Sequence, residues 1–280
     1  SVPASIPACR VCVPWKIFHR EISMQLSAML TSLPVDFATA LEQCRALGFT
    51  HVDIVGQVER PADDLEALAD SGLLVSCASI GRDLPAGRSF DALPVAARQT
   101  AVDMARRQLD DAARLGATHA YIVPGLDAGA AGMASFTESA TQLVAHAEAL
   151  RMQLCLEHIP RRALPDAAGT LAWLAASPGL KLLLDIGHCL ISGEDAAAII
   201  RQAGPRLGYV HLDDNDGDGD LHWPLLAGKL TRASLTDTLT ALATSGYNAA
   251  AAFELNPANP DPIEALRAGK ELVEAVASAQ

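Results

Sequence analysis

Short apolar runs recur along the chain, and each is followed by a longer Ala/Leu-rich stretch with apolar positions three and four apart. A run of four to eight apolar residues fits a buried strand, and three-four spacing gives a helix one apolar face. The predicted strands are 22–27 (ISMQLS), 49–55 (FTHVDIV), 73–80 (LLVSCASI) and 118–123 (THAYIV). They continue with 152–157 (MQLCLE), 180–185 (LKLLLD), 207–211 (LGYVH) and 250–255 (AAAFEL). Predicted helices occupy 37–48, 63–72, 92–115, 134–150, 168–176, 193–203, 232–245 and 261–278. Gly48, Gly72 and Gly116 stand where three of these should stop, because glycine enters the left-handed conformation without a Cβ clash.

Strands alternating with helices imply right-handed βαβ units and a parallel sheet. Eight such units in 280 residues, with no break in composition, fit an α/β fold of one domain, a (β/α)8 TIM barrel over residues 21–280. A doubly wound open sheet is the competing arrangement. It usually opens with a glycine-rich phosphate turn after its first strand, and SAMLTSLP (27–34) has none. Residues 1–20 hold Pro3, Pro7 and Pro14 and lack a continuous apolar segment before a small-residue cleavage site. They read as a leader or terminal arm and not as a signal peptide.

The chemistry gathers at strand ends. In such barrels the active site lies at the C-terminal ends of the strands. Four consecutive predicted strands end on Glu157, Asp185, His211 and Glu254. A carboxylate closing a buried strand is costly unless it is paired or bound to a cation. Three carboxylates and an imidazole converging on one point would suit Mn²⁺, Mg²⁺, Co²⁺ or Zn²⁺. A plainer reading makes His211 a hydrogen-bonded core histidine and pairs Glu254 with Arg161 or Arg162. Asp53 also lies in a strand, where pairing to a lysine or a helix end would explain it. His51, His119 and His146 read as non-catalytic. His158 follows Glu157 directly, so strand alternation turns it outward if Glu157 faces inward.

After His211 comes LDDNDGDGDLHWP, with five aspartates between residues 213 and 220. From Asp214 the letters match the opening of an EF-hand calcium loop. The twelfth position, however, is Leu225 where a bidentate glutamate is needed, and a strand-like run precedes the loop. These acids are better read as the loop following the seventh strand.

Composition narrows the partners. The formal net charge is −12, which disfavours a duplex-DNA surface, so no nucleic acid is expected. No apolar run reaches the length of a membrane span. Cys9 and Cys12 form a single Cys-x-x-Cys without a second pair, short of a structural zinc set. The remaining cysteines sit in apolar segments, consistent with a reduced, cytoplasmic setting.

The strand ends, with LEH at 156–158, DIGH at 185–188 and HLDDNDGDGDLHWP at 211–224, resemble the xylose isomerase-like barrels of the sugar phosphate isomerase/epimerase group, which includes the ketose 3-epimerases. The resemblance covers about residues 22–278. It implies one divalent metal on Glu157, Asp185, His211 and Glu254, with His188 and His222 toward the substrate. It also implies a carbohydrate substrate, a metal-held enediolate, Glu157 and Glu254 as acid and base, and a possible homo-oligomer. The acidic 213–220 loop lacks the arginine that ketose 3-epimerases often carry there, which leaves the sugar open. It also disfavours a phosphorylated one unless Arg82, Arg88 or Arg161 reaches it. PLLAG (224–228) keeps only Pro224 and Gly228 of a motif common among relatives. Three rival functions remain: a metal-dependent lyase or dehydratase, a type IV endonuclease-like phosphodiesterase, and a non-catalytic sugar-binding barrel. The Asp220-x-His222 spacing favours the phosphodiesterase; the charge, and SCASIGRD (76–83) without a further histidine, oppose it.

Overall fold

A computed structural model describes residues 25–126 and 129–279. The expected leader, Cys9 and Cys12 lie outside the described residues. Eight parallel strands close into a barrel in sequence order. They are β1 (Leu26–Met29), β2 (His51–Val55), β3 (Leu74–Ser79), β4 (His119–Ile122), β5 (Gln153–Glu157), β6 (Lys181–Asp185), β7 (Leu207–Leu212) and β8 (Ala251–Phe253). Around them run α1 (Phe37–Ala46), α2 (Ala62–Ser71), α3 (Val95–Arg114), α4 (Ala130–Ala149), α5 (Ala167–Leu174), α6 (Ile186–Ser192), α7 (Ala196–Ala203), α8 (Arg232–Ser245) and α9 (Pro262–Ser278). Helix ends follow the chemistry of the chain. Asp36, Asp166, Asp185, Asp195, Thr231 and Asp261 each accept a hydrogen bond from a first-turn N–H, which satisfies donors the helix leaves open. Gly72 and Gly246 close helices in the left-handed conformation.

Apolar residues fill two regions. The larger lies between strands and helices, with Val52, Ile54, Leu109, Leu143, Leu182 and Val210 among its members. The smaller fills the barrel interior, where Met29, Cys77, Tyr121, Cys155, Leu183, Tyr209 and Ala252 pack together. Successive strand residues face opposite ways. Cys155, Leu183, Tyr209 and Ala252 face inward, so the residues two further on, Glu157, Asp185, His211 and Glu254, share that face at the strands' C-terminal ends. Register agrees: Asp185 pairs with His211, and His211 with Ala252.

Asp53 departs from the expected pairing with a lysine or helix end. It is fully buried inside the barrel. Its Oδ1 accepts hydrogen bonds from Ser27 Oγ at 2.6 Å, Ser76 Oγ at 2.6 Å and Tyr209 OH at 2.8 Å. Burial raises its pKa against the pull of these donors. Three hydroxyls from three strands take the place of a counter-charge in the barrel interior.

Candidate metal centre

The four strand-end residues meet. One ligand-type atom from each of Glu157, Asp185, His211 and Glu254 lies within 4.8 Å of the other three. His211 Nδ1 is 2.6 Å from Glu254 Oε2, 3.2 Å from Glu157 Oε1 and 3.9 Å from Asp185 Oδ2. Asp185 and His211 are fully buried, and Glu157 and Glu254 nearly so. Asp185 Oδ2 is buried with no hydrogen-bond partner among the described residues, whereas Glu254 Oε2 has only the close His211 nitrogen. A buried carboxylate oxygen without a partner is expensive, and a cation at the centre of the four would relieve Asp185. The residues therefore fit a divalent ion of the hard or borderline kind, with one nitrogen and three oxygen donors.

Electrostatics reflect the crowding of charge. Burial, reinforced by the nearby Asp213 carboxylate, pushes the Asp185 carboxyl up to about 7. Burial likewise raises Glu157. Burial alone would lower His211, but Glu254 and Glu157 outweigh it and lift the imidazole well above its ordinary range. Burial would also raise Glu254, yet His211 and, more distantly, His222 and Arg82 hold it below the usual carboxylate range. The two glutamates diverge because His211 sits closer to Glu254 than to Glu157.

The stretch DIGH makes local sense in this setting. Asp185 closes β6 and caps α6, its Oδ1 accepting the His188 N–H at 2.8 Å. One carboxyl thus starts a helix with one oxygen and offers the other to the centre. Gly187 N–H donates to Asp213 Oδ1 at 2.9 Å. A Cβ at residue 187 would collide with that carboxylate oxygen, so the close approach requires glycine. His188 enters the first turn of α6. Its Nδ1 lies 2.8 Å from the His158 carbonyl oxygen and its Nε2 3.0 Å from Asp220 Oδ1. Burial would depress this imidazole, but Asp185 and Asp220 hold it at about 10.

The 213–220 loop divides its acids among separate tasks. Asp213 binds the Gly187 N–H and lies 2.7 Å from His222 Nδ1. Asp214 accepts from Gly228 N and Leu230 N. Asp216 accepts from Asp218 N and Gly219 N. Asp218 pairs with Arg161 at 3.1 Å. Asp220 Oδ1 lies 3.0 Å from both His188 Nε2 and His222 Nε2. His188, Asp220 and His222 are close enough to hold an ion, and the contacts of Asp220 to both rings already account for their arrangement. His222 has φ +46, a rare conformation for a non-glycine residue, and Asn215 Oδ1 holds it there by accepting its N–H at 3.1 Å.

A pocket of about 360 Å³ opens above the centre. Its walls include Glu157, Glu254, His188, Asp220 and His222, together with Arg82 and Tyr121. All six site residues read from the sequence thus come together at one end of the barrel. One sequence reading needs correction. Glu254 pairs with Arg82 at 3.3 Å, not with Arg161 or Arg162. His158 is fully buried and packs edge-on against the His188 ring at 5.5 Å. Burial depresses its imidazole to about 3. His51 and His119 bond to neighbouring threonines and His146 to Asp110, all away from the pocket. Asp213 and Tyr121 went unread. Asp213 carries a signal, since it sits two residues after His211 and shares its face.

A family model for the xylose isomerase-like TIM barrel matches residues 41–275. The chain belongs to the xylose isomerase-like TIM-barrel family. Solved structures of this shape include an L-ribulose 3-epimerase, with a TM-score of 0.77 at 22% identity over 91% of this chain and 95% of that one. A D-allulose 3-epimerase from Methylomonas sp. has a TM-score of 0.77 at 18% identity, over 90% and 98%. The 3-keto-D-glucoside 4-epimerase of E. coli has a TM-score of 0.76 at 16% identity, over 90% and 99%. At these identities the likeness carries the fold alone. A search of curated protein sequences finds no match. Among the described residues no helix is long and apolar enough to cross a membrane.

Proposed function

We propose that this xylose isomerase-like barrel is a divalent-metal-dependent epimerase or isomerase acting on a keto sugar or related polyol. One observation carries the reading. Of the four residues that could hold the ion, only Glu157 and Glu254 also line the pocket. Asp185 and His211 lie beneath them, so the two glutamates are placed to touch both a cation and a substrate. The solved structures of like shape are named as epimerases of ketoses and of a 3-keto-glucoside, which supports a carbohydrate.

An ion held by Glu157, Asp185, His211 and Glu254 would supply Lewis acidity toward a substrate carbonyl, making the neighbouring C–H acidic. The chain's residues supply the rest. One glutamate removes the proton from the carbon beside the carbonyl, and the other returns a proton to the enediolate. Return to the same carbon from the opposite face inverts its configuration. Return to the other carbon exchanges aldose and ketose. Of the two, Glu254 is assigned the base, since His211 beside it keeps its carboxyl ionised, and Glu157 returns the proton. His188 and His222 line the pocket with Asp220 between them, and the carboxylate they hold is placed to accept from a substrate hydroxyl.

The test is hydrogen exchange. The ion-loaded protein is incubated in D₂O with keto sugars, keto-inositols and 3-keto-glycosides, and deuterium uptake is read by mass spectrometry with epimers separated by chromatography. Deuterium in a new epimer or isomer is expected. Uptake accompanied by loss of a hydroxyl would replace the epimerase with a lyase. No uptake by any substrate, with the ion measured as bound, would overturn the reading.

A further inference from the structure

The pocket wall carries cationic groups that epimerisation of a neutral sugar does not use. Arg82 and Arg162 both line it. Every acid lining the same pocket already has a partner: Glu157 has His211, Glu254 has His211 and Arg82, and Asp220 has His188 and His222. Arg162 has no carboxylate within 4.0 Å among the described residues. Its hydrogen bond among the described residues runs from Nη1 to the Pro124 carbonyl oxygen at 3.3 Å, so among those residues most of its five donors are unused. Its neighbour Arg161 faces away and pairs with Asp218 at the surface.

Arg82 is built into place. Gly81, at φ +85, turns the chain after β3. The buried Gln108 side chain grips the turn on both sides, accepting the Gly81 N–H at 2.8 Å and donating to the Arg82 carbonyl at 3.2 Å. Arg82 Nε then donates to Ser79 Oγ at 3.1 Å. Its side chain stays 44% exposed even with one nitrogen on Glu254. A cation in the centre below would compete for Glu254 and free the guanidinium for another anion.

On the sugar-epimerase reading above, we infer that the substrate is an acidic one, a keto sugar acid whose carboxylate is held by Arg162 with Arg82 beside it. A planar guanidinium fork matches two oxyanion oxygens in one plane. A phosphate would offer similar oxygens, but the charge balance favours the monoanion. The pocket walls hold two arginines and no lysine, and the adjoining loop carries five aspartates.

The test uses a matched pair of non-reacting probes, D-gluconate and D-glucitol, which differ in one carboxylate. Binding is measured by calorimetry to the metal-free and the Mg²⁺-loaded protein. Gluconate is expected to bind at least about ten-fold tighter, the factor carried by one charge-assisted hydrogen bond. Arg162→Met should bring the two close to parity, and Arg162→Lys should keep part of the preference. Thermal melting and metal uptake of both variants confirm that fold and centre survive. Equal binding of the two probes would overturn the inference, as would a preference that persists in Arg162→Met. Tighter, Arg162-dependent binding of D-glucitol 6-phosphate than of gluconate would overturn the carboxylate and assign the arginines to a phosphate. If the wild-type protein takes up no ion, the proposed function falls. The gluconate preference of the metal-free protein then still decides for or against the arginines.

Discussion

Asp185→Asn separates the centre's electrostatic cost from its structural role. Asn keeps the shape and keeps a carbonyl oxygen to accept the His188 N–H that starts α6. What disappears is a carboxylate that burial and Asp213 push from 3.8 up to about 7. In the metal-free protein this group ionises above about pH 4 when unfolded and above about pH 7 when folded. It costs nothing below pH 4, an increasing amount between pH 4 and 7, and a constant amount above. The rise corresponds to a ceiling of about 4 kcal/mol. Near 2 °C per kcal/mol for a chain of this size, Asp185→Asn should melt up to about 8 °C above wild type in EDTA at pH 8, and level with it at pH 4. A divalent ion reverses the order. At one hundred times its Kd it stabilises wild type by about 2.7 kcal/mol, and the variant, short of one anionic ligand, responds little. Calorimetry with and without ion, beside elemental analysis of bound metal, reads both effects. A variant that melts below wild type in EDTA at pH 8, or that gains as much from the ion, would refute the reasoning.

Three further changes probe other parts of the molecule. Glu254→Gln removes the proposed base while keeping an oxygen toward the centre, so kcat should fall by a factor of about 10² or more with ion still bound; wild-type turnover would remove Glu254 from the proton transfer. Gly187→Ala drives a methyl group into Asp213 and should cost about 1–3 kcal/mol, read as a lower melting temperature; an unchanged melt would mean that the Asp213 contact is soft. Tyr209→Phe deletes the hydroxyl donated to Asp53 and should cost about 1–2 kcal/mol with metal uptake unaltered, whereas loss of metal would show that the barrel interior and the centre are coupled.

Much of the barrel was legible because buried parallel strands leave uninterrupted apolar runs, as in LKLLLD and MQLCLE. Boundaries were less so. The first strand was expected at 22–27 and is seen at Leu26–Met29, with residues 22–24 outside the described range. The last shrinks from 250–255 to Ala251–Phe253. One helix was missed. IGHCLIS (186–192) combines a glycine and two isoleucines and promises little helix by itself; Asp185 and the Asp213 contact to Gly187 start α6 from outside it. The pocket arginines were hidden for another reason. Whether Arg82, Arg161 or Arg162 faces the pocket depends on the path of loops after β3 and β5, and no periodicity records a loop's path.

The aspartate-rich loop shows why residue type and spacing alone mislead. Read as letters, the stretch from Asp214 to Gly219 has the opening of a calcium site, whose ligands must converge on one point. In the barrel, Asp214 and Asp216 turn their oxygens onto backbone N–H groups of the loop, and Asp218 reaches a surface arginine. Only the two outer acids turn toward the pocket side. Asp213 does so because it keeps His211's parity past the end of β7, and Asp220 because Asn215 folds residues 221 and 222 back by accepting both their N–H groups. The outer pair then holds His222 between them. The three inner acids fix the loop so that the outer two can orient a histidine, and the histidine reaches the pocket with the backbone strain at residue 222 offset by the bonds of Asn215. An acidic cluster that scatters its oxygens onto amides is a scaffold, and its link to the chemistry runs through the one side chain it positions.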